Sequence, residues 1–76
     1  MTIQMTTVDM CVGTNLRLFR ISTGRTLEQI SRDVGVSKEK WVNWEAARER
    51  VGASDMYALK LHLDLNPSDL FAGVTS

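Results

Sequence analysis

One cysteine, one proline and one histidine stand among 76 residues, and each scarcity removes a class of protein. Cys11 has no second cysteine, so no internal disulfide can form, and a lone thiol fits a reducing cytosol. Cys11 and His62 are the only soft metal ligands, too few for a structural zinc site, so neither metal nor cofactor is expected. No apolar run approaches the roughly 20 residues of a membrane span. The stretch Met1 to Thr7 has no positive side chain and no long apolar core, unlike a secretory signal. A cytoplasmic protein without membrane contact is expected. No Ser/His/Asp set, carboxylate pair or Gly-rich phosphate loop is present, so no catalytic residue, enzymatic activity or small-molecule substrate is expected. Charge of one sign is lacking too: nine bases face nine acids, which argues against an unselective polyanion binder. A chain this small hides roughly 60% of its extended surface on folding, enough for one core but not for a deep substrate cavity as well.

What is present is ordinary for one folded domain, with 43% apolar and 24% charged residues. The charge is unevenly placed. Positions 17 to 40 carry six bases and three acids, while positions 51 to 76 carry Lys60 against Asp55, Asp64 and Asp69. A neutral chain can thus present one basic face.

The patterning reads as helix throughout. Only Thr2 to Thr6, where Ile3 and Met5 alternate with polar residues, suggests a short strand or a loose arm. The division expected is an N-terminal arm over 1–7 and a single domain over 8–76. Val8, Val12, Leu16 and Phe19 recur at helical spacing, which predicts a first helix from about Val8 to Ser22, capped by Thr7 and closed by Gly24. Thr26-Leu27-Glu28-Gln29 is a capping box, opening a second helix that runs to about Asp33 or Val34. Gly35 breaks it, and Ser37 caps a third helix from Lys38 to about Ala47. Two short helices joined by a Gly-containing turn make a helix-turn-helix. A fourth helix runs from an N-cap at Ser54 to about Leu63, with Met56, Leu59 and Leu63 inward. A fifth, short one is capped by Asn66 and starts at Pro67, with Leu70-Phe71 docking on the core.

Five stretches in register carry a resemblance. They are Asn15-Leu16-Arg17-Leu18-Phe19-Arg20, Thr26-Leu27-Glu28-Gln29-Ile30-Ser31, Val34-Gly35-Val36-Ser37, Trp41-Val42-Asn43-Trp44-Glu45, and the run from Leu63 to Phe71. Over some three-quarters of its length the chain resembles the lambda-repressor/Cro-like helix-turn-helix family. The resemblance implies a compact all-α fold of five helices, with helices two and three forming the motif. Ile30, Ser31 and Val34 then face inward, Gly35 supplies the positive φ of the turn, and Val36 plugs the space beneath it. The resemblance also pairs Arg20 with Glu45 as a semi-buried structural ion pair between the first and third helices, and pairing is the cheaper state for charges at the edges of inward faces.

The implied function is sequence-specific binding of double-stranded DNA by a small dimeric repressor, with helix 38–47 in the major groove. A helical wheel turns Trp41, Trp44 and Glu45 inward and Glu39, Val42, Asn43 and Ala46 outward. Asn43 can then pair with adenine, Lys38 with guanine, Glu39 with the cytosine amino group and Val42 with a thymine methyl. Phosphate contacts fall to Thr26 at the second helix, Lys40, Arg48 and Arg50. Lys38 and Lys40 oppose the helix macrodipole, and nearby phosphate would explain them.

Several positions depart from the family. Leu27 stands where Gln is common and can neither touch the DNA backbone nor brace the reading helix. Ala47 replaces a frequent Gly, Val51 a common Pro. Lys60 replaces a small buried residue, so Tyr57 or Leu61 is expected to take more of that helix's contact. Met10, Leu18 and Ile21 form an outward apolar stripe on the first helix, a candidate interface with another subunit or with the arm. The homodimer seam is expected near residues 50–54 and 67–71, with that stripe as the alternative. Two other functions compete with a repressor: the antitoxin of a toxin–antitoxin pair, and a helix-turn-helix scaffold serving protein–protein contacts. The zero net charge speaks for the scaffold.

Overall fold

Thr6 opens the first helix, and the N-cap therefore lies one residue earlier than the expected Thr7. In a computed structural model that describes residues 6–71, the Thr6 side chain accepts from the Asp9 amide while the Asp9 carboxylate accepts from the Thr6 amide. The Thr6 amide, then the Arg50 guanidinium, hold the Asp9 carboxyl below its ordinary range. Among the described residues there are five helices: α1 (Thr7–Thr23), α2 (Leu27–Val34), α3 (Lys38–Glu45), α4 (Ala53–Leu63) and α5 (Pro67–Leu70). The arm residues 1–5, with Ile3 and Met5, lie outside the described residues.

The second helix starts as its sequence predicts. Thr26 caps it, accepting from the Gln29 amide, and the Thr26 amide donates to Gln29 Oε1. Gly35 ends it at φ +87°, a left-handed conformation that costs a glycine almost nothing. The Gly35 and Val36 amides return to the Ser31 carbonyl, closing the turn. Ser37 then caps α3 by accepting from the Lys40 amide. Ser31 is buried, and its hydroxyl donates to the Leu27 and Glu28 carbonyls, so this hydroxyl is not stranded where helices meet.

Among the described residues ten buried apolar side chains form the core, with Leu16, Ile30, Trp41, Leu59 and Leu70 sealed from solvent or nearly so. Trp41 and Trp44 meet edge to face, 5.7 Å between ring centroids, an arrangement the ring quadrupoles favour. α1 packs on α3 and α5, and α2 packs on α3 and α4. Asn15 fastens α1 to the far end of the chain, its side-chain amide donating to the Leu70 carbonyl at 2.7 Å. Leu27, where the family often has Gln, packs half-buried against the core.

Several sequence expectations are corrected. Val8 is exposed, and Gly13 takes its place on the inward face of α1. α3 ends at Glu45, two residues short of Ala47. Gly52, not Ser54, precedes the first turn of α4, and Ser54 lies inside the helix. Tyr57 and Leu61 do not take up core contact; they are 68% and 62% exposed, while Lys60 reaches outward to Asp64 at 3.0 Å. Phe71 is largely out of the core, and Leu70 alone docks.

Ala47 has φ +56°, the left-handed conformation that strains a residue with a Cβ by about 1–2 kcal/mol. Ala47→Gly should remove that strain, less the entropy a glycine loses on folding. A net gain under about 1 kcal/mol is expected, which calorimetry would read as a melting point a few degrees higher.

Candidate nucleic-acid interface

α3 is braced from behind and open in front. Trp41 and Trp44 are 0% and 1% exposed, and Glu45 accepts from the Arg20 Nε at 2.7 Å and Nη2 at 3.3 Å while also accepting from Trp41 Nε1. A helix of only eight residues is thereby fixed in angle against α1. On the opposite side Lys38, Glu39 and Ala46 are exposed, and Val42 and Asn43 are half-buried. This is the face expected to read bases. Among the described residues the Asn43 side chain has no hydrogen-bond partner, so both its donor and its acceptor are open to one. Its backbone carbonyl accepts from the Arg48 and Glu49 amides and ties the following loop to α3.

The cations are mostly held by the protein itself. Lys38 Nζ lies 2.7 Å from Glu28 of α2, and that contact holds the Glu28 carboxyl below its ordinary range. Lys40 Nζ lies 3.4 Å from Glu49 and 3.8 Å from Asp55, and 5.8 Å from the Trp44 ring centroid. Arg50 grips Asp9 through Nε and Nη2, both at 3.1 Å. Carboxylates from α2, α4 and the α3–α4 loop therefore offset the two lysines at the start of α3, and phosphate is not needed to account for them. Arg48 is exposed, and among the described residues it has no ion pair. Thr26 is exposed, with its hydroxyl oxygen accepting the Gln29 amide.

The expected interface residues of α1 lie at the surface: Met10, Leu18 and Ile21 are each more than half exposed. Two residues that seat α1 on its neighbours were given no role by sequence reasoning. Gly13 is buried where α1 meets the last turn of α3, and Asn15 anchors α1 on α5. Gly13 left a weak trace, since a glycine inside a helix pattern costs about 1 kcal/mol relative to Ala and often has a packing reason. Among the described residues no group of three or more metal-ligating side chains occurs, and no helix is long and apolar enough to cross a membrane.

A family model described as a helix-turn-helix domain matches residues 12–70. The fold is similar to the crystal structure of the clp gene regulator ClgR from C. glutamicum, with a TM-score of 0.77, 21% sequence identity, and coverage of 92% of this chain and 90% of that one. No curated protein matches the sequence.

Proposed function

This chain belongs to the helix-turn-helix domain family, and we propose that it is a sequence-specific DNA-binding regulator of transcription, a small dimeric repressor with α3 in the major groove. The observation that carries the reading is the front of α3, where Asn43 is free to pair and stands on a helix fixed from behind by two buried tryptophans and the Arg20–Glu45 pair. A side chain that must recognise a base edge gains most from a rigid support, because little freedom remains to be lost on binding. The similar fold of a protein titled a gene regulator supports the same reading. One α3 covers a few base pairs, so two copies on half-sites roughly 34 Å apart supply the specificity.

The roles on α3 separate by charge environment. Asn43 reads a base, with Val42 and Glu39 beside it and Lys38 reaching a base edge only by leaving Glu28. Among Lys40, Arg48 and Arg50, Arg48 binds phosphate first, because no carboxylate has to release it. A salt-dependent titration against the intergenic DNA beside its own gene tests the assignment. Asn43→Ala should cost about 1–3 kcal/mol and relax preference at one base position. Arg48→Ala should weaken all sequences alike and lower the salt slope by about one. Lys40→Ala should change the slope less than Arg48→Ala, since Glu49 and Asp55 already offset its charge. Unchanged affinity and slope in all three variants would replace this reading with that of a scaffold for protein contacts, which the internal pairing of Lys38, Lys40 and Arg50 favours.

A further inference from the structure

Three cations of the candidate interface are held by carboxylates that α3 does not supply. Lys38 meets Glu28 of α2 at 2.7 Å. Lys40 meets Glu49 of the α3–α4 loop at 3.4 Å and Asp55 of α4 at 3.8 Å. Arg50 meets Asp9 of α1 at 3.1 Å. None of the four carboxylates lies on α3, so the fold makes these pairs and the spacing of one helix does not. The Lys38 and Glu28 side chains are each more than half exposed, so a phosphate can reach the lysine and the pair can open.

An ion pair attracts a third charge far less than a lone cation does, because the two fields largely cancel. Attraction to phosphate supplies essentially all of the sequence-independent binding of a protein to DNA. A duplex of arbitrary sequence therefore offers Lys38 and Lys40 one anion in exchange for another, with little net gain. We infer that Glu28 and Glu49 set the general affinity for DNA low, by occupying Lys38 and Lys40 in place of phosphate. Binding then depends on what α3 gains from the bases. Glu28 and Glu49 are positioning residues in this scheme, acting through the two lysines. The inference rests on the reading of α3 as the face turned to DNA and adds what holds that face in check.

A salt-dependent titration against a random-sequence duplex tests it, with helical circular dichroism as the check on folding. Glu28→Gln should bind this duplex about two- to fivefold more tightly than wild type, the range set by releasing one exposed pair. Its salt slope should steepen by about one, because Lys38 joins a phosphate. Adding Glu49→Gln should increase both effects. In a Lys38→Met background, Glu28→Gln should leave the slope where Lys38→Met puts it. Asp64→Asn raises the net charge equally but releases only Lys60, at the far end of α4, and should leave the slope at the wild-type value. Wild-type affinity and slope in Glu28→Gln overturn the inference, and so does a slope gain that persists without Lys38 or appears equally in Asp64→Asn. A parallel titration against the intergenic duplex reads the sequence-specific proposal separately. A wild type that prefers that duplex, with variants that gain nothing, keeps the proposal and overturns this inference. Variants that gain affinity and slope, with a wild type that shows no preference, keep this inference and fail the proposal. Proteins that bind neither duplex overturn both.

Discussion

Gly13→Ala should strip the domain of much of its stability, although alanine is the better helix former by about 1 kcal/mol. A Cβ at Gly13 would lie 2.5 Å from the Trp44 carbonyl oxygen and 3.0 Å from that of Glu45. Both atoms are backbone, so no rotamer change can clear the space. α1 would have to lift off the end of α3. The Trp44 carbonyl also receives the Ala47 amide, which resists its displacement. Lifting α1 also draws Arg20 away from Glu45, so the loss spreads beyond the clash. Overpacking of a core costs about 1–3 kcal/mol and occasionally more, against a total of about 5 kcal/mol in so small a domain. Urea denaturation should show a midpoint far below wild type. A midpoint equal to or above it would mean that propensity outweighs packing and that α1 and α3 do not approach this closely.

Glu45→Ala should be nearly as damaging. Its carboxylate serves two donors, the Arg20 guanidinium and the Trp41 indole, with side-chain exposures of only 17% and 12% for the ion pair. Removing one partner of a well-buried pair costs roughly 3–5 kcal/mol, because the other charge stays buried alone. Here the Trp41 Nε1, on a fully buried side chain, loses its acceptor too. DNA binding should vanish with the fold. Arg20→Leu combined with Glu45→Leu strands no charge and should recover part of the loss, but only part, since the indole stays unpartnered at a cost of about 1–3 kcal/mol. Glu45→Gln, which keeps an acceptor, should sit between wild type and Glu45→Ala. A thermal melt of the four proteins decides the order. Equal melting points for wild type and Glu45→Ala would show the contacts to be energetically idle.

The two variants differ in how visible they were beforehand. The Arg20–Glu45 pair followed from a resemblance carried by short motifs at fixed spacing. The role of Gly13 did not, because the inward face of α1 is rotated relative to the regular Val8-Val12-Leu16-Phe19 pattern. Periodicity marks the apolar residues but not the spot where a second helix comes close enough to need no side chain at all.

The same division runs through the molecule. By itself the sequence determined that the chain is helical, where α2 begins, how the Gly35 turn closes and where α5 starts, because capping boxes, left-handed glycines and Asn-Pro starts act over four residues or fewer. Only the tertiary structure decided which charges are free. Lys38 meets Glu28 ten residues away, Lys40 meets Asp55 and Arg50 meets Asp9, forty-one residues away. Composition counts such charges, but their pairing depends on the path of the chain. The same path left Asn43 open on α3 and Arg48 open in the segment after it, and it turned Tyr57 and Leu61 to the surface because the inner side of α4 was already filled by Leu59 and Leu63.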